Sequence, residues 1–232
     1  MSCEVIRAKD FVAEAAQKIV DLARTALADR NEFRLALSGG NTPRPVYSEV
    51  ARVARGLPWE RVFFTFGDER CVPPDHEQSN YRMARETLFT PAMIPEKSVA
   101  RMHGELDPQI AAQEYEENLQ ALAVQRGEAL YRHDLILLGL GDDGHTASLF
   151  PETAALGETV RRVAANFVPK FNSWRLTFTF PLINAARHIC FLVNSNKQTD
   201  LVERVMQGDE RFPASRVNPS AGDVTWILGQ PS

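Results

Sequence analysis

Asp142, Asp143 and His145 stand among three glycines, Gly139, Gly141 and Gly144, directly after the apolar run Leu135-Ile136-Leu137-Leu138. An unbroken apolar run reads as a parallel strand covered on both faces. Open α/β sheets bind ligands beyond the carboxyl ends of such strands, so a titratable residue there has a mechanistic reason to be present. Imidazole, with an ordinary pKa of about 6.5, exchanges protons near neutrality. His145 is therefore the candidate general base, one that deprotonates a water and later returns the proton to a leaving oxygen. Asp143, two residues before it, is the candidate for orienting the ring or stabilising its cation, although that spacing alone does not establish contact. The competing reading of the stretch is a polar surface turn. A zinc site fits poorly, because a D-D-G-H run is too cramped for three ligands. Ser38 and Ser148 lack the G-x-S-x-G elbow of a serine nucleophile.

Other strand ends carry groups suited to an anion. Ser38-Gly39-Gly40-Asn41-Thr42-Pro43 reads as a loop opening a helix, with Pro43 in the first turn. Gly39 and Gly40 let backbone N–H groups approach a phosphate closely, and the helix amino end adds partial positive charge. Neither Walker nor dinucleotide-fingerprint spacing is present, and the alternative is a tight turn that uses glycine for its backbone freedom. Asp68-Glu69-Arg70 follows the strand Val62–Phe66. Arg70 can clamp phosphate or carboxylate, with Asp68 or Glu69 holding its guanidinium, against the alternative of a solvated ion pair. Cys71 comes next and reads as a packed thiol rather than a nucleophile. Lys197 closes Asn194-Ser195-Asn196-Lys197 at the start of a late helix.

The elements that must position these groups alternate. A helix capped by Asp10 runs to about Ala28, with a stripe of Phe11, Ala15, Ile19, Leu22 and Ala26. A strand at 34–37, a helix bearing Val46, Tyr47, Val50 and Val53, and the 62–66 strand follow. Ser79-Asn80-Tyr81 caps a helix through Leu88, and a further helix covers 110–124. Residues 153–172 read as irregular. Strands at 175–180 and 189–193, a helix to Met206 and a closing strand at 223–228 complete the chain. This order predicts an α/β class fold: a Rossmann-like, mostly parallel sheet with helices on both faces, mixed toward its carboxyl-terminal part. Residues 1–232 are expected to form one domain.

Composition narrows the function classes. The chain has 232 residues, 44% hydrophobic content and a formal net charge of −4. That balance argues against nucleic acid or an anionic membrane as the main partner. Three scattered cysteines support neither a disulfide framework nor a metal site, and a reducing compartment follows. No membrane-spanning run or signal peptide is seen, so a cytoplasmic protein is expected, monomeric or a small homo-oligomer. Neither metal nor cofactor is expected.

The motifs L-S-G-G-N-T-P, F-G-D-E-R-C-V-P, Q-S-N-Y, L-G-L-G-D-D-G-H-T-A-S-L-F-P, R-L-T-F-T-F-P-L-I-N-A-A-R, P-A-S-R-V and D-V-T-W occur in that order from about Arg34 to Leu228. As a set they resemble the glucosamine-6-phosphate isomerase/6-phosphogluconolactonase family. The resemblance implies its Rossmann-like fold and, for the lactonase branch, metal-free hydrolysis of 6-phospho-glucono-1,5-lactone in the oxidative pentose phosphate pathway. It implies His145 and Asp143 as catalytic residues. It places Gly39, Gly40, Asn41, Thr42, Asp68, Arg70, Asn80, Thr146, Arg175 and Lys197 on a sugar phosphate. The sibling deaminases carry an acid where this chain has Phe150, which cannot transfer a proton, and D-E-Y where it has D-E-R; both departures favour the lactonase. Asn194-Ser195-Asn196-Lys197 replaces a G-x-x-K pattern, and Asn218 a frequent arginine. A sugar-phosphate sensor without catalysis is the reading from another class, but it would need an output module that this length does not hold.

Overall fold

The computed structural model of the protein describes residues 2–194 and 199–229. In chain order the elements are β1 (Ser2–Ala8), α1 (Phe11–Arg30), β2 (Phe33–Leu37), α2 (Pro43–Val53), β3 (Val62–Phe66), β4 (Asp68–Arg70), α3 (Asn80–Ala84), α4 (Pro108–Val124), β5 (Leu135–Leu138), β6 (Val163–Val168), β7 (Ser173–Phe178), α5 (Phe180–Ile183), β8 (His188–Val193), α6 (Thr199–Met206) and β9 (Asp223–Gly229). Local chemistry accounts for the principal helix ends. The Asp10 carboxylate accepts from Ala13 N at 3.0 Å, and α1 stops at Asn31, whose left-handed conformation sends its N–H back to Leu27 O. Asp107 caps α4 in the same way, accepting from Gln109 N and Ile110 N, with Pro108 in the first turn.

Six strands form a wholly parallel sheet in the order β1-β9-β8-β5-β2-β3. Apolar side chains pack on both of its faces. One layer holds α1 and α2 through Ala15, Ile19, Val46 and Tyr47; the other holds α4 through Ala112, Tyr115 and Leu119. Strand β5 lies between them with all four residues buried, which explains its unbroken apolar sequence. Its amino end is stitched to β2 by Asp134, which accepts from Arg34 N at 2.9 Å and from Arg30 at 2.8 Å.

The antiparallel pairing expected toward the carboxyl end is present as a separate three-stranded sheet, β4-β7-β6. Strand β4 reaches it through Gly67, whose N–H donates to Leu37 O and whose carbonyl accepts from Phe178 N. Three strands go beyond the sequence reading: the Asp68–Arg70 segment, read as a polar strand end, is itself strand β4. Strand β1 pairs along its full length with β9, and β6 lies in the stretch read as irregular. Among the described residues no helix is long and apolar enough to cross a membrane.

Strand β2 pairs with β3 on one side and β5 on the other, so the direction of winding reverses between β2 and β5. That reversal opens a crevice at the carboxyl ends of the two strands, where α/β sheets take ligands. The Ser38–Thr42 and Gly139–His145 loops both leave from it.

Candidate active site

A cavity of about 640 Å³ opens at this crevice. Its walls come from the β2–α2 loop, β4, the loop after β5, β7 and the carboxyl end of β8. The loop after β5 folds back on itself: Gly141 N donates to His145 O at 2.9 Å, and Thr146 Oγ1 donates to Gly139 O at 2.9 Å. This turn presents the His145 imidazole to the cavity. Its Nδ1 lies 2.5 Å from Asp143 Oδ1, and its ring stacks on Phe150 at 3.9 Å and 24°. Partial burial raises the Asp143 carboxyl, but hydrogen bonds from Lys170 and His145 outweigh it and hold the group down at about 2. Asp143 is then an anion throughout the neutral range and accepts from Nδ1–H. Nε2 is left as the lone-pair nitrogen of the neutral ring, with no hydrogen bond to a described residue.

Lining the same cavity, Arg70 on β4 and Arg175 on β7 occupy directly opposed positions of an antiparallel pair. Arg70 donates to Gln78 O at 2.6 Å, and Arg175 donates to Ser173 Oγ at 2.8 Å. Burial, and then the neighbouring Arg70 cation, lower the Arg175 guanidinium from its ordinary value. Like charges directly opposed across two strands are unfavourable without a counter-anion. The β2–α2 loop faces the same space, with Gly40 and Asn41 exposed at its rim and α2 beginning at Pro43. The Ser38 hydroxyl also lines the cavity and, among the described residues, finds no hydrogen-bond partner.

A family model described as glucosamine-6-phosphate isomerases/6-phosphogluconolactonase matches residues 7–226. The chain belongs to this family. It is 43% identical over 232 residues to a 6-phosphogluconolactonase of Synechocystis sp., spanning 98% of this chain and 95% of that protein. It is 34% identical to the 6-phosphogluconolactonase of Homo sapiens, over 96% of this chain and 88% of that one. The crystal structure of a 6-phosphogluconolactonase from Thermotoga maritima superposes with a TM-score of 0.87 at 28% identity, covering 99% of this chain and all 100% of the other.

Of the positions that the family resemblance singles out, His145, Gly39, Gly40, Asn41, Thr42, Asp68, Arg70 and Arg175 line the cavity, and Asp143 supports His145 from behind. Two do not reach it. Thr146 is fully buried and spends its hydroxyl on Gly139 O. Asn80 is buried behind Gly39, donating to Asp68 O at 2.9 Å and Asp68 Oδ1 at 3.2 Å. Gly39 is required there, since a Cβ on it would sit 1.8 Å from Asn80 Oδ1. Lys197 lies outside the described residues. The expected clamp of Asp68 or Glu69 on the Arg70 guanidinium is replaced by other partners. Asp68 accepts from Ser148 Oγ at 2.7 Å. Glu69 accepts from the backbone N–H groups of Arg70, Asn80 and Tyr81, each at 2.8 Å, tying β4 to the start of α3.

Lys170 and Phe171 were not singled out in the sequence. Lys170 Nζ lies 2.8 Å from Asp143 Oδ2, and Phe171 lines the cavity with its ring edge-on to Phe150 at 5.6 Å. They lie on the short connection between β6 and β7, inside the stretch whose sequence carries no periodic signal. Burial pushes the Cys71 thiol up to about 11, consistent with a packed rather than a reactive cysteine.

Proposed function

We propose that the protein hydrolyses 6-phospho-D-glucono-1,5-lactone to 6-phosphogluconate, the lactonase step of the oxidative pentose phosphate pathway. The observation that carries the reading is His145 held through Nδ1 on Asp143 in a cavity that the opposed cations Arg70 and Arg175 also line. A lactone is an activated ester, so the enzyme needs an aimed, deprotonated water rather than a covalent nucleophile. His145 Nε2 takes a proton from that water as its oxygen bonds to the lactone carbonyl carbon, giving a tetrahedral oxyanion. Backbone N–H groups of the glycine-rich loops are suited to that oxyanion. As the intermediate collapses, the bond to the ring oxygen breaks and the imidazolium returns its proton to that oxygen, leaving a hydroxyl and a carboxylic acid. The substrate phosphate sits between Arg70 and Arg175, beside the Gly39–Thr42 loop at the amino end of α2.

Phe150 weighs against the deaminase reaction of the sibling enzymes. Where an acid would assist ring opening, an aromatic ring stacks on the imidazole. The test compares acid release from freshly made lactone, corrected for spontaneous hydrolysis, with ammonia release from glucosamine 6-phosphate. Lactone acceleration without ammonia is expected; ammonia without lactone acceleration overturns the reading.

A further inference from the structure

The base and phosphate assignments use one oxygen of Asp143 and leave the other unexplained. Oδ1 meets His145 Nδ1 at 2.5 Å, while Oδ2 meets Lys170 Nζ at 2.8 Å. One carboxylate therefore bridges an imidazole on the loop after β5 and a lysine on the β6–β7 connection, 27 residues away in sequence. The connection is built for a fixed path. Residues Pro169–Phe171 form a single 3₁₀ turn that Asn172 closes in the left-handed conformation at φ 46°. The adjacent Phe171 packs edge-on to Phe150, the ring on which His145 stacks. The same short segment thus touches both the acid partner and the stacking partner of the imidazole.

We propose that Lys170 is a positioning residue of the lactonase site, occupying the outer oxygen of Asp143 and offsetting part of its charge, so that the imidazole resting on the inner oxygen stays available as a base toward lower pH. The proposal rests on the lactonase reading for its kinetic readout. Two electrostatic effects act in one direction. Lys170 offsets part of the Asp143 charge that would stabilise an imidazolium, and its own cation disfavours a second cation nearby. The other charged groups facing His145 are Asp142 and Asp143 on its own loop, Asp68 and Arg70 on β4, and Arg175 on β7. Beneath the loop, Phe212 packs against Gly144, with Arg204 over its ring and paired to Asp209 at 3.1 Å. All of these stay in place when Lys170 alone is changed. Lys170 is more than half exposed, so water screens its charge and a modest effect is expected.

The experiment follows kcat and KM for fresh lactone across pH in wild type, Lys170→Met and Lys170→Arg, together with an NMR titration of the His145 imidazole in each. Lys170→Met should move the acid limb of kcat to higher pH, with a loss of about threefold on the wild-type limb, a plateau and KM changed less than about twofold, and an imidazole midpoint moved up. Lys170→Arg should restore both limb and midpoint. A uniform loss at every pH with the limb unmoved, no change at all, a limb moved to lower pH, or failure of arginine to rescue would each overturn the proposal. Wild-type protein that does not accelerate lactone hydrolysis would sink the lactonase reading instead, and the imidazole titration still decides whether Lys170 sets the state of His145.

Discussion

The imidazole of His145 lies directly over Gly141, where a Cβ would come within 2.0 Å of ring atoms Nδ1 and Cε1. The glycine is thus a condition for the ring to rest on Asp143 and Phe150 together. Gly141→Ala should fold, because the loop is at the surface of the crevice, but it must push the ring off Asp143. Misplacing a catalytic group by about 1 Å can cost on the order of 10²-fold, so kcat should fall roughly 10–100-fold with little change in melting temperature. A variant with wild-type kcat would show that the ring position seen here is not the productive one.

Removing the base is the more direct experiment. His145→Ala should lose roughly 10²–10⁴-fold in kcat, the usual worth of a placed proton acceptor. Binding of 6-phosphogluconate, measured by calorimetry, should change far less, since the phosphate is assigned to Arg70 and Arg175. Retention of near wild-type turnover in a folded variant would remove His145 from the mechanism.

Asp143→Asn should lower kcat by less than His145→Ala and move the acid limb of the rate to lower pH. The sign follows from charge: the carboxylate, held at about 2, is an anion at every working pH, and an anion beside the ring favours the imidazolium. Taking it away favours the neutral base, so protonation needs more acid. A limb that moves upward would contradict the hydrogen bond between the two residues.

Arg70 and Arg175 are expected to act on the phosphate. Truncating either to alanine should cost about 1.5–3 kcal/mol of binding, on the scale of a charge-assisted hydrogen bond, read as a KM increase of roughly 10–150-fold. Unphosphorylated gluconolactone should be a poor substrate of the wild type and lose little more in either variant. Equal damage to both lactones would make the arginines structural.

Stability should carry the signature of His133. Its ring is fully buried, with Nε2 2.9 Å from Thr65 Oγ1 and Nδ1 without a partner among the described residues. Complete burial, and then the Arg34 cation, push the imidazole down to about 3. Between pH about 6.5 and 3 the unfolded chain binds a proton there that the folded chain does not, so stability falls as pH drops through that window. This one group contributes at most about 1.4 kcal/mol per pH unit. Urea unfolding at several pH values should show that slope, reduced in His133→Asn. An unchanged slope would assign the acid sensitivity to other groups.

Much of this was legible in the chain itself. The apolar run of β5 announced a doubly covered strand, and the stripe of α1 with its Asp10 cap announced a packing helix, because both signals are local. The glycine-framed D-D-G-H run pointed to His145 for the same reason, since chain connectivity alone puts Asp143 and His145 on one loop. The ordered motifs carried the family. Strands β1 and β6 were missed because neither alternates apolar and polar residues, and β4 because it is three charged residues long; β1 is an edge strand whose partner β9 comes from the far end of the chain. Asn80 and Thr146 looked like ligand groups, yet packing turned both inward, where their hydrogen bonds support the walls rather than the cavity. What the amino-acid sequence determined by itself was the parallel α/β plan and the loop that bears His145, both set by short-range patterns. Only the tertiary structure decided that Lys170 reaches Asp143, that Phe150 stacks on the imidazole with Phe171 edge-on to Phe150, and that Arg70 faces Arg175. Those contacts join segments from 5 to 105 residues apart, and such separations are closed only when two sheets pack and bring their loops to one crevice.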